Sequence, residues 1–296
     1  MSESPHTMDR VLFGDNQFFG VNHMSEDKAR AQQMRFQDLP AVIEVLDTAY
    51  NEGIRTFMCT THDRVAEICD YFRANKDRYP DYRFYPCMPY AHKYANAATE
   101  HGMFDALRKF LPQDGAISAM LKGGVALASK DVDTIMRLLI DAEMKMFHGL
   151  DTPVVFIQNI IADLLLGLGL TQLFKTFHDH VREAYGAEAG FITMNLPRML
   201  DVLEGLGIDN PIVCSNINKI GFRMCGGIEL YESTIAARRF RPVAMSVLAS
   251  GAIMPREAIG YVCGQPRIES IVFGASSRAN IRQTKQLIDE LSPARG

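Results

Sequence analysis

The chain has 296 residues and a mass of 33.1 kDa, with 47% hydrophobic residues, 22% charged residues and a formal net charge of −4 at pH 7. This apolar fraction is too high for a disordered chain. The near-neutral charge balance, without a basic run, argues against a protein that binds nucleic acid by neutralising phosphates. Uninterrupted apolar stretches stay shorter than about 18 residues, so a transmembrane helix is not expected.

The N-terminal segment 1–10 is polar and lacks the apolar core of a secretory signal. The six cysteines form no C-x-x-C pair and are spaced wrongly for a zinc site. In a chain of this size the pattern predicts free buried thiols rather than disulfides. We therefore expect a cytoplasmic protein of enzyme size that takes a small-molecule substrate, with no nucleic-acid or membrane partner.

Short apolar runs alternate with amphipathic stretches along the chain, which is typical of βα units around a parallel sheet. In chain order, the pattern predicts strand Val11–Gly14, helix Leu39–Glu52, strand Ile54–Thr60, helix Val65–Asn75, strand Tyr82–Met88, strand Thr152–Gln158, helix Ala162–Tyr185, strand Gly190–Met194 and helix Leu196–Gly205. It then predicts strand Pro211–Ser215, helix Ile228–Arg238, strand Pro242–Val247, helix Arg256–Cys263, strand Glu269–Phe273 and helix Arg278–Leu291. Eight such strands in one chain of this length predict a single-domain (β/α)8 barrel over residues 1–296.

The stretch between the third and fourth strands is much longer than an ordinary βα connection. It contains helical patches at Met103–Phe110, Ile117–Leu121 and Val132–Phe147, and it predicts a helical insertion over residues 95–150 that covers the barrel mouth as a lid. A doubly wound open sheet is the alternative fold. The residues after the first strand, Gly14 to Asn16, do not supply its G-x-G-x-x-G fingerprint.

In a (β/α)8 barrel, catalytic residues lie at the C-terminal ends of the strands, and polar side chains follow almost every predicted strand here. The candidates for substrate binding are Asn16, Gln17, His23, Thr61, Tyr90, His92, Gln158, Asn159, Asn195 and Asn216. Ordinary turn chemistry accounts for part of this pattern. It accounts less well for amides and histidines placed where apolar strands stop.

Five residues are candidates for catalysis: Asp15, His62, Asp63, Lys93 and Lys219. His62 and Asp63, with His23 and His92 from neighbouring strands, could form an acid–base cluster or a metal site, or could be singly hydrogen-bonded loop residues. We assign no metal ligands. Asp15 could be a general base or a turn cap. Lys219 or Lys93 could form an imine if desolvated, although a surface position is the simpler interpretation of Lys219.

The segment 272–280 joins a strand to a helix through a Gly-Ala-Ser-Ser-Arg turn. Free backbone N–H groups at a helix N-terminus, two hydroxyls and a guanidinium are suited to an anion, most often a phosphate. The alternative is a simple helix cap by Ser276 or Ser277. The candidate binding residues are Gly274, Ser276, Ser277, Arg278 and Asn280.

Two stretches resemble the aldo-keto reductases and their wider superfamily of NADP-linked barrels. Residues 46–57, LDTAYNEGIRTF, are similar to the family's helix 1 and strand 2, and residues 270–281 are similar to its strand 8 signature. Weaker similarities lie at residues 193–195 and 250–251. The resemblance implies that NADP binds with its adenosine-side phosphate at the end of strand 8.

The family's Asp-Tyr-Lys-His tetrad does not carry over by position. The Asp and Tyr positions hold Met58 and Asp63, no lysine lies at 86–88, and the His position falls near Gln158 or Asn159. The resemblance therefore implies a divergent member with a rebuilt active site that acts on a small carbonyl or phosphate-bearing substrate, with NADP as the implied cofactor. A non-redox lyase or isomerase, and a non-catalytic ligand-binding protein, are the alternatives.

Overall fold

The computed structural model describes residues 6–20, 26–90 and 132–292. Eight parallel strands close into a barrel in chain order, β1 to β8. Their bounds are β1 Val11–Gly14, β2 Thr56–Thr60, β3 Arg83–Met88, β4 Val154–Ile157, β5 Glu188–Thr193, β6 Ile212–Asn216, β7 Arg241–Met245 and β8 Ser270–Phe273. The predicted (β/α)8 fold is confirmed.

Helices pack around this barrel. They are α1 Glu26–Arg35, α2 Leu39–Asn51, α3 Asp63–Ala74, α4 Val132–Met144, α5 Asn159–Leu168, α6 Gln172–Tyr185, α7 Leu196–Gly205, α8 Ile228–Ala237, α9 Pro255–Gly264 and α10 Arg278–Leu291. The amphipathic pattern explains their orientation. In α2, for example, Val42, Leu46 and Ala49 are buried against the barrel, and Pro40 lies in the first turn.

The structure corrects one predicted helix and adds another that the sequence did not predict. The single helix predicted over Ala162–Tyr185 is two helices, because the chain leaves α5 at Gly169, whose φ of 71° is left-handed. Helix α1 was not predicted, since its sequence is almost wholly polar and carries no apolar face to detect.

The predicted lid over 95–150 lies mostly outside the described residues. Its last part, α4, packs along α6 and contacts β3, and its Met136, Ile140 and Met144 side chains are buried. Helix α4 is therefore one of the helices on the outside of the barrel, like those that follow other strands. Among the described helices, none is long and apolar enough to cross a membrane.

The barrel interior is filled mainly by apolar side chains from alternate strand positions, with Tyr85 and Phe156 the largest of them. Met8, which is fully buried, closes the interior at the end where the strands begin. Gly190 on β5 lies against the Phe156 ring, where a Cβ atom would come within 2.4 Å of the ring carbons. These contacts seal one end of the barrel and leave a cavity at the other.

Candidate active site

A cavity of about 350 Å³, here called the mouth cavity, lies at the end of the barrel where the strands finish. Apolar and sulfur-containing side chains line its inner part, namely Met58, Cys87, Ile192, Cys214, Met245 and Val272. Hydrogen-bonding side chains line its outer part, namely Asp15, Asn16, Gln17, Gln32, Thr60, Gln158, Asn159, Ser246 and Ser250. An apolar site with a few converging polar groups is the usual form of a small-molecule site.

Asp15 is the carboxyl group among the described lining residues, and it is 6% exposed. It follows β1 directly, next to the end of β2, so that Thr60 donates both its backbone N–H and its hydroxyl to Asp15 Oδ2, each at 2.7 Å. Burial raises the pKa of Asp15, and the two bonds from Thr60 offset only part of that rise. The carboxyl group therefore keeps its proton to a higher pH than a solvated aspartate, and both Thr60 donors bind the same oxygen, Oδ2.

Gln17 is held in one orientation at the edge of the cavity. Its Nε2 donates to the Gly14 carbonyl at 2.7 Å, which fixes Oε1 as the other end of the amide. Oε1 is buried and has no hydrogen-bond partner among the described residues. It lies against Gly274 on the far side of β1, where a Cβ atom would come within 2.1 Å of it.

Gln32 is a lining residue that the sequence did not single out. Helix α1 packs against the short 3-10 turn Asn16–Phe18, which brings Gln32 to the same cavity as Gln17. Its Oε1 is also buried without a partner among the described residues. No feature of the sequence separates Gln32 from Gln33, its exposed neighbour on the same helix.

The loop after β7 borders the cavity in an unusual conformation. Ser246, Ala249 and Ser250 have positive φ angles of 53°, 46° and 58°. Such angles cost non-glycine residues on the order of 1–3 kcal/mol each and cluster at ligand sites. The loop is held by a bond from the Ala249 N–H to the Ser246 carbonyl, at 2.8 Å.

His62 lies half-buried at the N-cap of α3, where its Nδ1 accepts the Arg64 N–H at 3.1 Å. Its ring stacks on Phe19, with centroids 4.4 Å apart, and meets Tyr90 edge-on at 5.3 Å. Burial, then the charges of Asp15 and Asp63, raises the pKa of Tyr90. His62 and Tyr90 form an aromatic group beside the mouth cavity rather than part of its lining.

Several predicted site residues lie outside the mouth cavity. Asp63 is exposed in the first turn of α3, and Thr61 is fully buried. Asn195 caps α7 by accepting the Arg198 N–H, and the buried Asn216 donates to the Arg223 carbonyl at 3.0 Å. Asn195 and Asn216 thus serve the local backbone.

Lys219 is half exposed, and its ammonium group pairs with Glu257 at 2.6 Å. This position does not supply the desolvated environment on which an imine-forming role depends, because solvent and a carboxylate both stabilise the charged amine. His23, His92 and Lys93 lie outside the described residues.

The cysteines are free thiols, and all but Cys225 are buried. Burial raises the pKa of both Cys87 and Cys214. These two thiols therefore line the cavity as neutral, apolar groups rather than as nucleophiles. No group of three His, Cys, Asp or Glu side chains within the described ranges could hold a metal ion.

The turn after β8 leads from Gly274, a lining residue, to the N-terminus of α10. Ser277 caps this 14-residue helix, with its hydroxyl accepting the Asn280 N–H at 3.3 Å. Ser276 and Ser277 are half-buried, while Arg278 and Asn280 are exposed. The hydroxyls, the guanidinium and the free N–H groups of the first turn fit a phosphate.

Solved structures with this architecture include aldo-keto reductases. A protein from Pseudomonas aeruginosa, provisionally named an aldo-keto reductase, is 12% identical with a TM-score of 0.61, and the match covers 95% of this chain and 90% of that chain. The holo form of an aldo-keto reductase from Bacillus halodurans is 9% identical with a TM-score of 0.54, over 96% and 88%. A third structure, of an Asp-to-Ala mutant in complex with NADPH, is 9% identical with a TM-score of 0.51, over 97% and 91%.

No protein-family model and no curated protein matches the sequence. At these identities the structural likeness establishes the fold alone: the chain is a (β/α)8 barrel, as these structures are. Met58, Cys87 and Gln158, which the sequence resemblance predicts at or near the Asp, Lys and His positions of the aldo-keto reductases, all line the mouth cavity. The replacement of the tetrad stays a prediction.

Proposed function

We propose that this protein is an oxidoreductase that uses NADP and interconverts a small carbonyl compound and its alcohol in the mouth cavity. The observation that carries the proposal is Asp15, a buried carboxyl group with a raised pKa, set by Thr60 at the edge of a cavity lined with apolar and amide groups. The aldo-keto reductase fold and the phosphate-suited turn before α10 support it.

The cofactor would be held by the turn after β8. Ser276, Ser277 and Arg278 would bind the adenosine-side phosphate. The rest of the cofactor would extend from there past Gly274 to the mouth cavity. NADPH, when bound, supplies the hydride for carbonyl reduction.

Asp15 would supply the matching proton. During reduction, its Oδ1–H donates to the carbonyl oxygen of the substrate as that oxygen becomes an alkoxide, which leaves Asp15 ionised. The Thr60 N–H and hydroxyl stabilise the resulting carboxylate through Oδ2, and solvent returns the proton afterwards. In the reverse direction, the ionised carboxylate accepts the alcohol proton.

A fluorescence titration with NADPH tests the cofactor assignment. The purified protein should shift or quench the nicotinamide fluorescence, and Arg278→Ala should weaken NADPH binding about tenfold, the value of one charged hydrogen bond. Arg282→Ala removes the same charge one turn further along α10 and should leave binding unchanged. Absence of binding at millimolar NADPH would overturn the redox proposal, and equal losses in the two variants would overturn the phosphate site.

A non-redox isomerase or lyase is the second candidate function. The observation that favours it is the pair formed by His62 and Tyr90, which places two more titratable groups beside the mouth cavity. Such an enzyme would exchange substrate C–H protons with deuterated solvent when no cofactor is present. NADPH-dependent turnover without exchange would exclude it.

A further inference from the structure

The N-terminal segment 6–9, here called the N-terminal strap, lies against the end of the barrel where the strands begin. Its Met8 side chain is fully buried among the side chains of the barrel interior. The Asp9 carboxylate accepts from the Arg83 guanidinium on β3 at 3.2 Å. Strand pairing begins beyond the strap, at Val11 of β1. Side chains therefore make much of the contact between the strap and the barrel.

His6 is the residue of the strap whose charge changes closest to neutral pH. Its ring Nε2 lies 3.0 Å from the hydroxyl of Tyr85, which is fully buried, and its carbonyl accepts from Arg241 on β7. The neutral ring can accept the hydroxyl proton at Nε2, whereas the protonated ring can only donate. Protonation of His6 would therefore leave the proton of this buried hydroxyl without the acceptor that it has here.

The charges around His6 also favour its neutral form. They come from four elements: Arg83 on β3, Asp151 before β4, Glu188 on β5 and Arg241 on β7. Both carboxylates already pair with an arginine, Glu188 with Arg241 at 2.8 Å and Asp151 with Arg83 at 3.5 Å. Burial, followed by the charge of Arg83, lowers the pKa of His6 in spite of these two carboxylates. The docked strap thus binds a neutral His6 better than a charged one.

We propose that the N-terminal strap is an acid-sensitive latch: neutral His6 keeps it docked on the barrel, and protonation of His6 shifts it towards an undocked state in which Met8 is exposed. Because docking lowers the pKa of His6, the docked state is favoured most above the ordinary histidine value of about 6.5. Below that value the docking equilibrium weakens, by at most about tenfold per pH unit, until the pH reaches the lower pKa of the docked ring. This inference does not depend on the proposed function.

Oxidation of methionine by hydrogen peroxide tests the latch in the full-length protein. A buried thioether reacts when the structure around it opens, so the rate of sulfoxide formation at Met8, followed by peptide mass spectrometry, reports the undocking equilibrium. Met254 is 73% exposed and supplies the reference rate, while Met199, fully buried on α7, reports general unfolding. Between about pH 7.5 and 5.5 the Met8 rate relative to Met254 should rise roughly three- to tenfold, and the Met199 rate should stay constant.

Two variants assign the effect to His6. His6→Gln keeps a side chain that can accept from Tyr85 but does not titrate, so its Met8 rate should not change over this pH range. His178→Gln makes the same substitution on α6, outside the barrel, and should keep the pH dependence of the wild type.

Three results would overturn the latch. The first is a Met8 rate that does not depend on pH in the wild type. The second is an equal rise in His6→Gln and the wild type. The third is a rise at Met199 in step with Met8, because the whole barrel would then open rather than the strap.

Discussion

The two ends of the barrel differ in whether their buried charged and hydrogen-bonding groups have partners. Where the strands begin, arginines and their carboxylates are paired. Arg241 binds Glu269 with two hydrogen bonds and Glu188 with a third at 2.8 Å, and Arg83 pairs with Asp9 at 3.2 Å. Where the strands finish, Asp15 is buried, and the described residues supply neither a cation for it nor a partner for the acceptors of Gln17 and Gln32.

We infer from this difference that the paired end of the barrel contributes to stability and that the other end, the mouth, is kept for function. The N-terminal segment completes the paired end, since Arg241 also donates to the His6 carbonyl and His6 bonds to the Tyr85 hydroxyl at 3.0 Å. These paired groups link the N-terminal segment to strands β3, β5 and β7 and to the start of β8. The unsatisfied groups at the mouth lower stability unless something binds, as expected of a site that keeps its hydrogen-bonding capacity for a ligand.

The largest expected effect is at the mouth. Asp15→Asn should lower the rate of NADPH consumption with small neutral aldehydes and ketones at least about 100-fold, because the general acid is lost. The fold should be retained, since the amide oxygen can accept both Thr60 bonds. Asp289→Asn, on the exposed face of α10, is the control. Full activity in Asp15→Asn would remove Asp15 from the mechanism.

At the paired end, Arg241→Met should lower the free energy of unfolding by about 2–3 kcal/mol, because it leaves Glu188 and Glu269 without their cation. Arg256→Met breaks an exposed pair with Glu290 and should cost less than about 1 kcal/mol. Urea unfolding measures both. Similar losses of unfolding free energy in the two variants would show that the ion pairs of Arg241 contribute no more stability than an exposed pair.

Inside the barrel, Gly190→Ala should lower the free energy of unfolding by about 1–3 kcal/mol, because its Cβ atom would overlap the Phe156 ring. Adding Phe156→Leu to this variant should recover part of that loss. Gly260→Ala, in the middle of α9 with open space around its Cβ, should be neutral or slightly stabilising. Equal behaviour of the two alanine variants would contradict the packing described here.

The smallest effect expected is a pH dependence. Because folding raises the pKa of Asp15, its protonated form adds stability that is complete below the ordinary carboxyl range and is lost as the pH rises through the folded pKa. The wild type should therefore lose stability relative to Asp15→Asn as the pH rises above about 4. A gain over that range would mean that Thr60 outweighs burial.

The sequence predicted the strands better than the site. Alternating apolar runs and amphipathic stretches depend on local spacing, so all eight strands were found, with bounds within two residues of those observed. The sequence did not predict the break at Gly169, because a single glycine changes the spacing of apolar residues little. It did not predict α1, because this polar helix has no apolar face. The rule that strand ends carry chemistry predicted Asp15 and Gln17, and both line the mouth cavity. Gln32 reaches the cavity through helix packing that local patterns do not reveal.

A carbon-13 NMR titration of the Asp15 carboxyl group, assigned by comparison with Asp15→Asn, tests most directly whether the mouth holds a buried acid. The account predicts a single titration whose midpoint lies clearly above the ordinary aspartate pKa of about 3.9. A midpoint at or below that value would show a carboxylate stabilised by its surroundings, and Asp15 could not then serve as the proton donor proposed here.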